Sequence, residues 1–293
     1  MELKKYKGSI MKKGISIHIG LNYVDEEHYG TGVSPLETCE QDAIDMQEIA
    51  LAQNFKSTIL LLSENATRTA VKSAIKSASK ELVSGDMLML SYSGHGGFVP
   101  DTNGDETDDS LDETWCLYDG QLIDDELFQL WGKFKVGVRI VMLSDSCHSG
   151  TVAKANKLRD EDSESSIFKK KLLSYSVAKS VYYGNKSFYE KIAKRFLKKK
   201  PKKLRASVKL LAACQDPEVS YTIPFARNSI FTEKLLKVWN GGQFVGTYDE
   251  FFEAIKEEVT ALNFLPTKQT PNLYDMGRED ENFDSQKPFQ IYE

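Results

Sequence analysis

Several absences bound what this chain of 293 residues can be. No apolar run approaches the roughly 20 residues of a membrane-spanning helix, so no membrane partner is expected. The opening residues, Met1-Glu-Leu-Lys-Lys-Tyr-Lys-Gly8, lack the apolar core of a signal peptide, which makes a cytoplasmic location the expectation. The four cysteines, Cys39, Cys116, Cys147 and Cys214, form no Cys-x-x-Cys pair, which argues against zinc, iron–sulfur or a disulfide framework. No internal repeat is present. What remains is an ordinary globular composition, 41% hydrophobic and 28% charged, on a chain long enough to bury a core without staples.

Within that composition two stretches share one design. The apolar, β-branched run Val138-Arg-Ile-Val-Met-Leu143 ends in Ser144-Asp-Ser-Cys-His-Ser-Gly150, and Asp86-Met-Leu-Met-Leu-Ser-Tyr-Ser93 ends in Gly94-His-Gly-Gly97. Each reads as a buried strand running into a loop, the edge where α/β sheets gather ligands and catalysts. A thiol near pH 7 is mostly protonated and needs a neighbouring base, and His95 supplies a candidate. Taken singly, a Cys is a small buried hydrophobe and a His a satisfied core residue. The pairing argues otherwise: glycines flank His95, so a substrate backbone can approach, and Ser146, Ser149 and Gly150 keep Cys147 uncrowded.

The remaining pattern is that of an α/β protein. Gly14–Gly20 alternates as a first strand, with His18 read as a partly buried strand residue, and Leu21–Pro35 is a loop. Glu37–Gln53 has helical spacing, Ser57–Leu62 is an apolar strand, and Thr67–Val83 is a helix returning to the His95 strand. Strand, helix, strand in that order implies a right-handed crossover and a mostly parallel sheet. Further on, Val208–Cys214 reads as a strand, Ser229–Trp239 and Tyr248–Leu262 as helices, with Thr247 and Glu250 as a capping pair. The polar tail from Gly277 reads as a loose end.

The motifs Ser93-Gly-His-Gly96 and Asp145-Ser-Cys-His-Ser-Gly150 together resemble the metacaspases and their prokaryotic caspase-like relatives. Animal caspases share the His-to-Cys spacing but carry Gln-Ala-Cys where this chain has Asp145-Ser146-Cys147. Val208 to Asp216 and Gln269 to Leu273 resemble the small-subunit portion of the same family. The resemblance implies a caspase-like α/β fold, a mostly parallel central β-sheet flanked by helices on both faces, in one catalytic domain over 1–293. Residues 1–153 would be the large-subunit-like part with the Cys-His dyad, 154–205 a charged, basic, cleavable linker, and 206–293 the small-subunit-like part. It implies a cysteine endopeptidase with Cys147 as nucleophile, His95 as proton carrier and the backbone N–H groups of Gly96 and Cys147 as oxyanion hole. Cys39 and Asp42, three apart on one helix face, match residues lining the pocket for the side chain before the scissile bond, as does Ser93. With Asp145 that pocket is acidic, so peptides or proteins carrying Arg or Lys are the expected substrates of a monomeric enzyme.

No cofactor is required for this chemistry, but the resemblance implies calcium as an activator. The acid-rich loop from Asp101 to Glu113 is not an EF-hand, since Glu106 and Asp112 stand where Gly and Glu are required. Asp124 and Asp125 match part of the family's calcium site, with Asp112 a looser match. The stretch after the nucleophile that supplies a further carboxylate in some members, Thr151 to Lys157, is not acidic, and a solvated acidic loop is the alternative.

Between Lys186 and Arg205 stand ten Lys or Arg and one acid, a local charge of +9, which leaves −14 on the rest of a chain of net charge −5. Such a run reads as a solvated linker, a nucleic-acid patch or a segment that fills the acidic pocket until it is cut. The last is the expectation, and nucleic acid is not an expected partner. An inactive caspase-fold regulator or scaffold is the alternative to a protease, against which the intact His95 and Cys147 motifs weigh.

Overall fold

The computed structural model describes residues 12–101, 111–147, 167–196, 203–215 and 218–291. Its described strands are β1 (Gly14–Gly20), β2 (Ser57–Leu62), β3 (Met87–Ser93), β4 (Gly96–Pro100), β5 (Leu111–Leu117), β6 (Gly120–Ile123), β7 (Arg139–Asp145), β8 (Lys169–Lys170), β9 (Ser207–Ala212), β10 (Tyr221–Thr222) and β11 (Asn272–Gly277). Six of them form one sheet in the order β11-β9-β7-β3-β1-β2. Every neighbouring pair is parallel except β11 with β9.

Side chains alternate across a strand, and here both faces are covered. Met87 and Met89 of β3 and Val141 and Leu143 of β7 pack with Met46 and Ile49 of the helix Cys39–Ala52 and with the helices Ile230–Trp239 and Tyr248–Thr260. Leu88, Leu90, Ile140 and Met142 face the other way, against the helices Arg68–Glu81 and Asp124–Trp131. Burial on both faces is why β3 and β7 read as unbroken apolar runs rather than alternating ones. The caps follow sequence chemistry: Thr67 accepts from the Ala70 N–H, and Thr247 with Glu250 closes a capping box.

Two regions depart from their composition. Much of the charged stretch before Arg205 is folded: the helices Tyr175–Gly184 and Lys186–Phe196 bury Ala178, Val181, Tyr189 and Ile192 against Phe98, Val99, Cys116 and Ile123 of the small antiparallel sheet β4-β5-β6. The tail after Gly277, expected to be loose, forms the helix Glu281–Ser285 and buries Phe283 and Phe289. Both rings meet Tyr248 edge-to-face, and Phe289 also meets Trp239 and Phe251. Two aromatic anchors outweigh a dozen polar neighbours, because each removes a large apolar area from water. Phe283→Ala is therefore expected to lower the unfolding free energy by about 3–4 kcal/mol in a denaturant titration, whereas a loose tail would leave it unchanged.

Candidate active site

β3 and β7 are neighbours with Ser93 opposite Asp145, so the loops leaving them start side by side and carry His95 and Cys147 to one place. His95 is buried, and its Nε2 lies 2.8 Å from the Ser34 carbonyl oxygen. A carbonyl only accepts, so Nε2 carries the proton and Nδ1 the lone pair. Nδ1 meets no partner among the described residues. Burial pushes the ring's pKa down to about 4, and Lys171 and Lys169 act in the same direction against the Ser34 carbonyl. The imidazole is thus neutral at pH 7, the form a base requires. Cys147, fully buried, accepts from the Ser220 N–H at 2.8 Å and donates to the Ser220 carbonyl at 3.6 Å. Among the described residues no hydrogen bond joins thiol to imidazole.

The cleft holds a piece of the chain itself. Lys169 and Lys170 of β8 pair antiparallel with Thr222 and Tyr221 of β10, and the Lys171 N–H donates to the Ser220 carbonyl at 3.0 Å. The Lys171 carbonyl oxygen accepts from the Gly96 N–H at 2.9 Å and from the Cys147 N–H at 3.2 Å, the two donors expected of an oxyanion hole. Beyond it, the Leu173 N–H donates to the Gly96 carbonyl at 2.9 Å. This is how an extended peptide binds by adding a strand. Gly96 has no substitute here, since a Cβ at that position would lie 1.6 Å from the Cys147 carbonyl oxygen.

The Lys171 side chain, 0% exposed, ends in the acidic pocket. Its Nζ donates to Ser93 Oγ and Ser229 Oγ, each at 2.8 Å, and lies 3.0 Å from Asp145 Oδ1 and 3.6 Å from Asp42 Oδ2. Asp42 also accepts from Ser93 Oγ, Ser229 Oγ, the Ser229 N–H and Asn228 Nδ2. Asp145 accepts from Ser220 Oγ and Thr232 Oγ1, both at 2.8 Å. Burial works against the Lys171 charge, but Asp145, Cys39 and Asp42 outweigh it and raise its pKa. Cys39, also fully buried, borders the same group and is pushed up to about 12 by burial, which keeps it a thiol. Cys39, Asp42, Ser93 and Asp145 thus come together as one pocket.

The acids matched to calcium stand apart from this pocket, and Asp124 and Asp125 line a cavity with Glu113. Asp112 lies on β5, and Asp124 and Asp125 open the helix Asp124–Trp131, where the Asp125 N–H donates to Asp124 Oδ1. Among the described residues no group of three or more His, Cys, Asp or Glu side chains is placed to hold a metal ion. Residues 102–110 of the acid-rich loop and Thr151 to Lys157 lie outside the described residues, and calcium enters no step below. His148, Ser149 and Gly150 lie outside the described residues. His18 is fully buried, bonded through Nδ1 to Ser91 Oγ at 2.8 Å, a core residue.

Sequence reasoning missed Lys171, Ser220, Asn228 and Thr232, and took Ser229 only as a helix start. Ser229 sits at the N-cap position, yet its hydroxyl goes to Asp42 rather than to the helix N–H groups. Lys171 was hidden in a charged stretch, although Lys169-Lys-Lys-Leu-Leu173 turns from basic to apolar at the point where the chain enters the cleft.

Known proteins resemble this chain in sequence and in fold. The model of a family described as "Caspase domain" matches residues 21–282. A Metacaspase-1A of Neurospora crassa is 34% identical over 149 residues, 46% of this chain and 31% of that protein. A Metacaspase-1 of Cryptococcus neoformans var. neoformans serotype D is 35% identical over 147 residues, 45% of this chain and 31% of that protein. The match thus spans about a third of the length of these curated relatives. A crystal structure of a protein from Geobacter sulfurreducens is 42% identical, covers 96% of this chain and 100% of that one, and superposes with a TM-score of 0.83.

Two buried, neutral imidazoles make stability depend on pH. Folded, His95 stays neutral down to about 4 and His18 down to about 3. Unfolded, each takes up a proton near its ordinary value of about 6.5, so acid favours the unfolded chain. Stability is therefore full above pH 6.5 and falls as the pH drops below it, by about 2 kcal/mol per ring at pH 5. Melting temperatures measured from pH 7 to 4.5 should fall, and the slope should be shallower in His18→Asn.

Proposed function

The chain belongs to the caspase-domain family of peptidases, and from that we propose that it is a cysteine endopeptidase that cleaves after Lys or Arg, with its own Lys171–Leu172 bond as first substrate. The observation that carries this reading is the double hold on Lys171, its ammonium between Asp145 and Asp42 and its carbonyl oxygen on the N–H groups of Gly96 and Cys147.

In this mechanism Cys147 turns from Ser220, gives its proton to His95 Nδ1 and adds through Sγ to the Lys171 carbonyl carbon. The oxygen becomes negative between the two N–H donors, each typically worth about 3 kcal/mol of barrier. Collapse breaks the C–N bond, and His95 returns the proton to the Leu172 nitrogen, which leaves as a new amino terminus. Lys171 stays behind as a thioester on Cys147. Water, giving a proton to His95, attacks that thioester and releases the Lys171 carboxylate and the free thiol. The Ser34 carbonyl orients the imidazole throughout, so no third carboxylate is needed.

Specificity follows from the pocket. A guanidinium or ammonium brings the charge that two buried carboxylates lack, and an Asp side chain would add a third negative charge. The basic run does not supply the occupant: residues 186–196 are committed to a helix that buries Tyr189 and Ile192. We therefore place the cut at Lys171 rather than between 186 and 205. While Lys171 fills the pocket, other substrates are kept out, so the intact chain is latent.

Purified wild type on incubation should give fragments 1–171 and 172–293 by intact-mass spectrometry, and Cys147→Ala should stay whole. A cut mapped only within 186–205, or an uncut chain fully active on Lys-ended peptides, would overturn the processing. Asp145→Asn should lower kcat/KM for Lys- and Arg-ended fluorogenic peptides by about a hundredfold, the loss typical of a broken buried ion pair. Wild type that prefers Asp-ended peptides would refute the pocket's role.

A further inference from the structure

The residues preceding Lys171 mark out more of the substrate. Resting on the reading of this segment as bound substrate, we propose that Glu37 selects a basic residue at the third position before the scissile bond, and that Phe264 with Tyr221 selects an aromatic residue at the fourth. Counting back from the Lys171–Leu172 bond, Lys171 is first, Lys170 second, Lys169 third and Phe168 fourth. The substrate class is thus a peptide that reads aromatic, basic, any residue, then Lys or Arg.

Glu37 is placed for this task. Its Oε1 lies 3.0 Å from Lys169 Nζ, which also donates to the Pro35 carbonyl at 3.1 Å. Its Oε2 is held by the Phe225 N–H at 3.3 Å, so the carboxylate is fixed from behind and faces the third side chain. Phe225 holds that N–H in place from a backbone in the left-handed region, at φ 66°. The Lys169 ammonium, and after it the Phe225 N–H, keep the Glu37 carboxyl below its ordinary pKa, ionised at neutral pH.

The aromatic contact lies one residue further on. The half-buried Phe168 ring stacks on Phe264 at 6.1 Å and 24° and stands edge-on to Tyr221 at 6.2 Å and 75°. Tyr221 is fully buried, with its hydroxyl bonded to Thr267 Oγ1 at 2.7 Å, and makes a rigid wall. Phe264 remains 52% exposed even with Phe168 against it, an open shelf rather than a piece of core. Glu37, Tyr221 and Phe264 all lie outside the 168–172 segment, so the same contacts await the next peptide once that segment leaves.

The test uses the full chain, incubated until it has cut itself, with the fluorogenic peptides Phe-Lys-Ala-Lys, Phe-Glu-Ala-Lys and Ala-Lys-Ala-Lys. Wild type should cleave the Lys peptide about fivefold better than its Glu counterpart, the size of a partly exposed ion pair, and Glu37→Lys should reverse that order. Phe264→Ala should remove the roughly tenfold advantage of Phe over Ala at the fourth position and leave the third-position preference intact. Self-cleavage gives a second reading on the uncut chain: Lys169→Glu should slow it, and Glu37→Lys added to Lys169→Glu should restore it. Lys-ended peptides cleaved with preferences that neither variant alters, together with a double variant no faster than Lys169→Glu, would overturn these subsites alone. Cleavage of Asp-ended peptides and of no Lys-ended one would instead overturn the reading on which they rest.

Discussion

The contact of the Lys171 ammonium with Asp145 and Asp42 sets the terms for the rest of the molecule. Two carboxylates exposed by no more than 2% share one cation, and the desolvation of each costs several kcal/mol. What offsets that cost is a shell of donors from Ser93, Ser220, Asn228, Ser229 and Thr232, which come from β3, from the residue before β10 and from the start of the helix Ile230–Trp239. The pocket therefore joins the first half of the sequence to the last third. A neutral occupant would leave the net charge uncompensated, so the proposed selectivity would be a penalty on wrong side chains as much as a reward for the right one.

How much of this was legible in the sequence depended on the range of the signal. β3 and β7 announce themselves as unbroken apolar runs because both faces are covered, and the positions of His95 and Cys147 follow from where those runs stop. Asp42 was legible only through the metacaspase resemblance of Cys39-x-x-Asp42, since its place on a helix face fits a solvated first-turn acid equally well. Lys171, Ser220 and Thr232 were not, because each meets Asp145 only through the tertiary fold, and nothing in their neighbours' periodicity marks them. Composition misled at both ends of the same scale. Charge in 186–196 hid a helix anchored by Tyr189 and Ile192, and polarity after Gly277 hid Phe283 and Phe289, since a few buried rings decide folding where average hydropathy does not.

The unbonded thiol and imidazole and the filled pocket belong to one state. Ser220 holds the Cys147 thiol by its N–H, holds Lys171 by its carbonyl and reaches Asp145 by its hydroxyl, so one residue touches thiol, bound segment and pocket together. Departure of the segment removes the Ser220–Lys171 bond and a charge that depresses the basicity of His95. On the proposed mechanism, loss of the occupant and readiness of the base would in this way be coupled through short-range contacts, with no distant relay required.

The ladder between β7 and β9, six residues in register from Arg139–Ser207 to Ser144–Ala212, would take on a further meaning if the bond after Lys171 were cut as proposed. The two strands would then belong to different polypeptides that share one sheet. An unbroken chain restores that ladder by closing its own loop, at a cost that grows only slowly with loop length. Severed, it restores the ladder only by a second-order encounter, so recovery from any transient unfolding depends on how much protein is present. A nick that leaves every contact in place thus changes the molecularity of folding, and a dilute, nicked molecule that once comes apart stays apart.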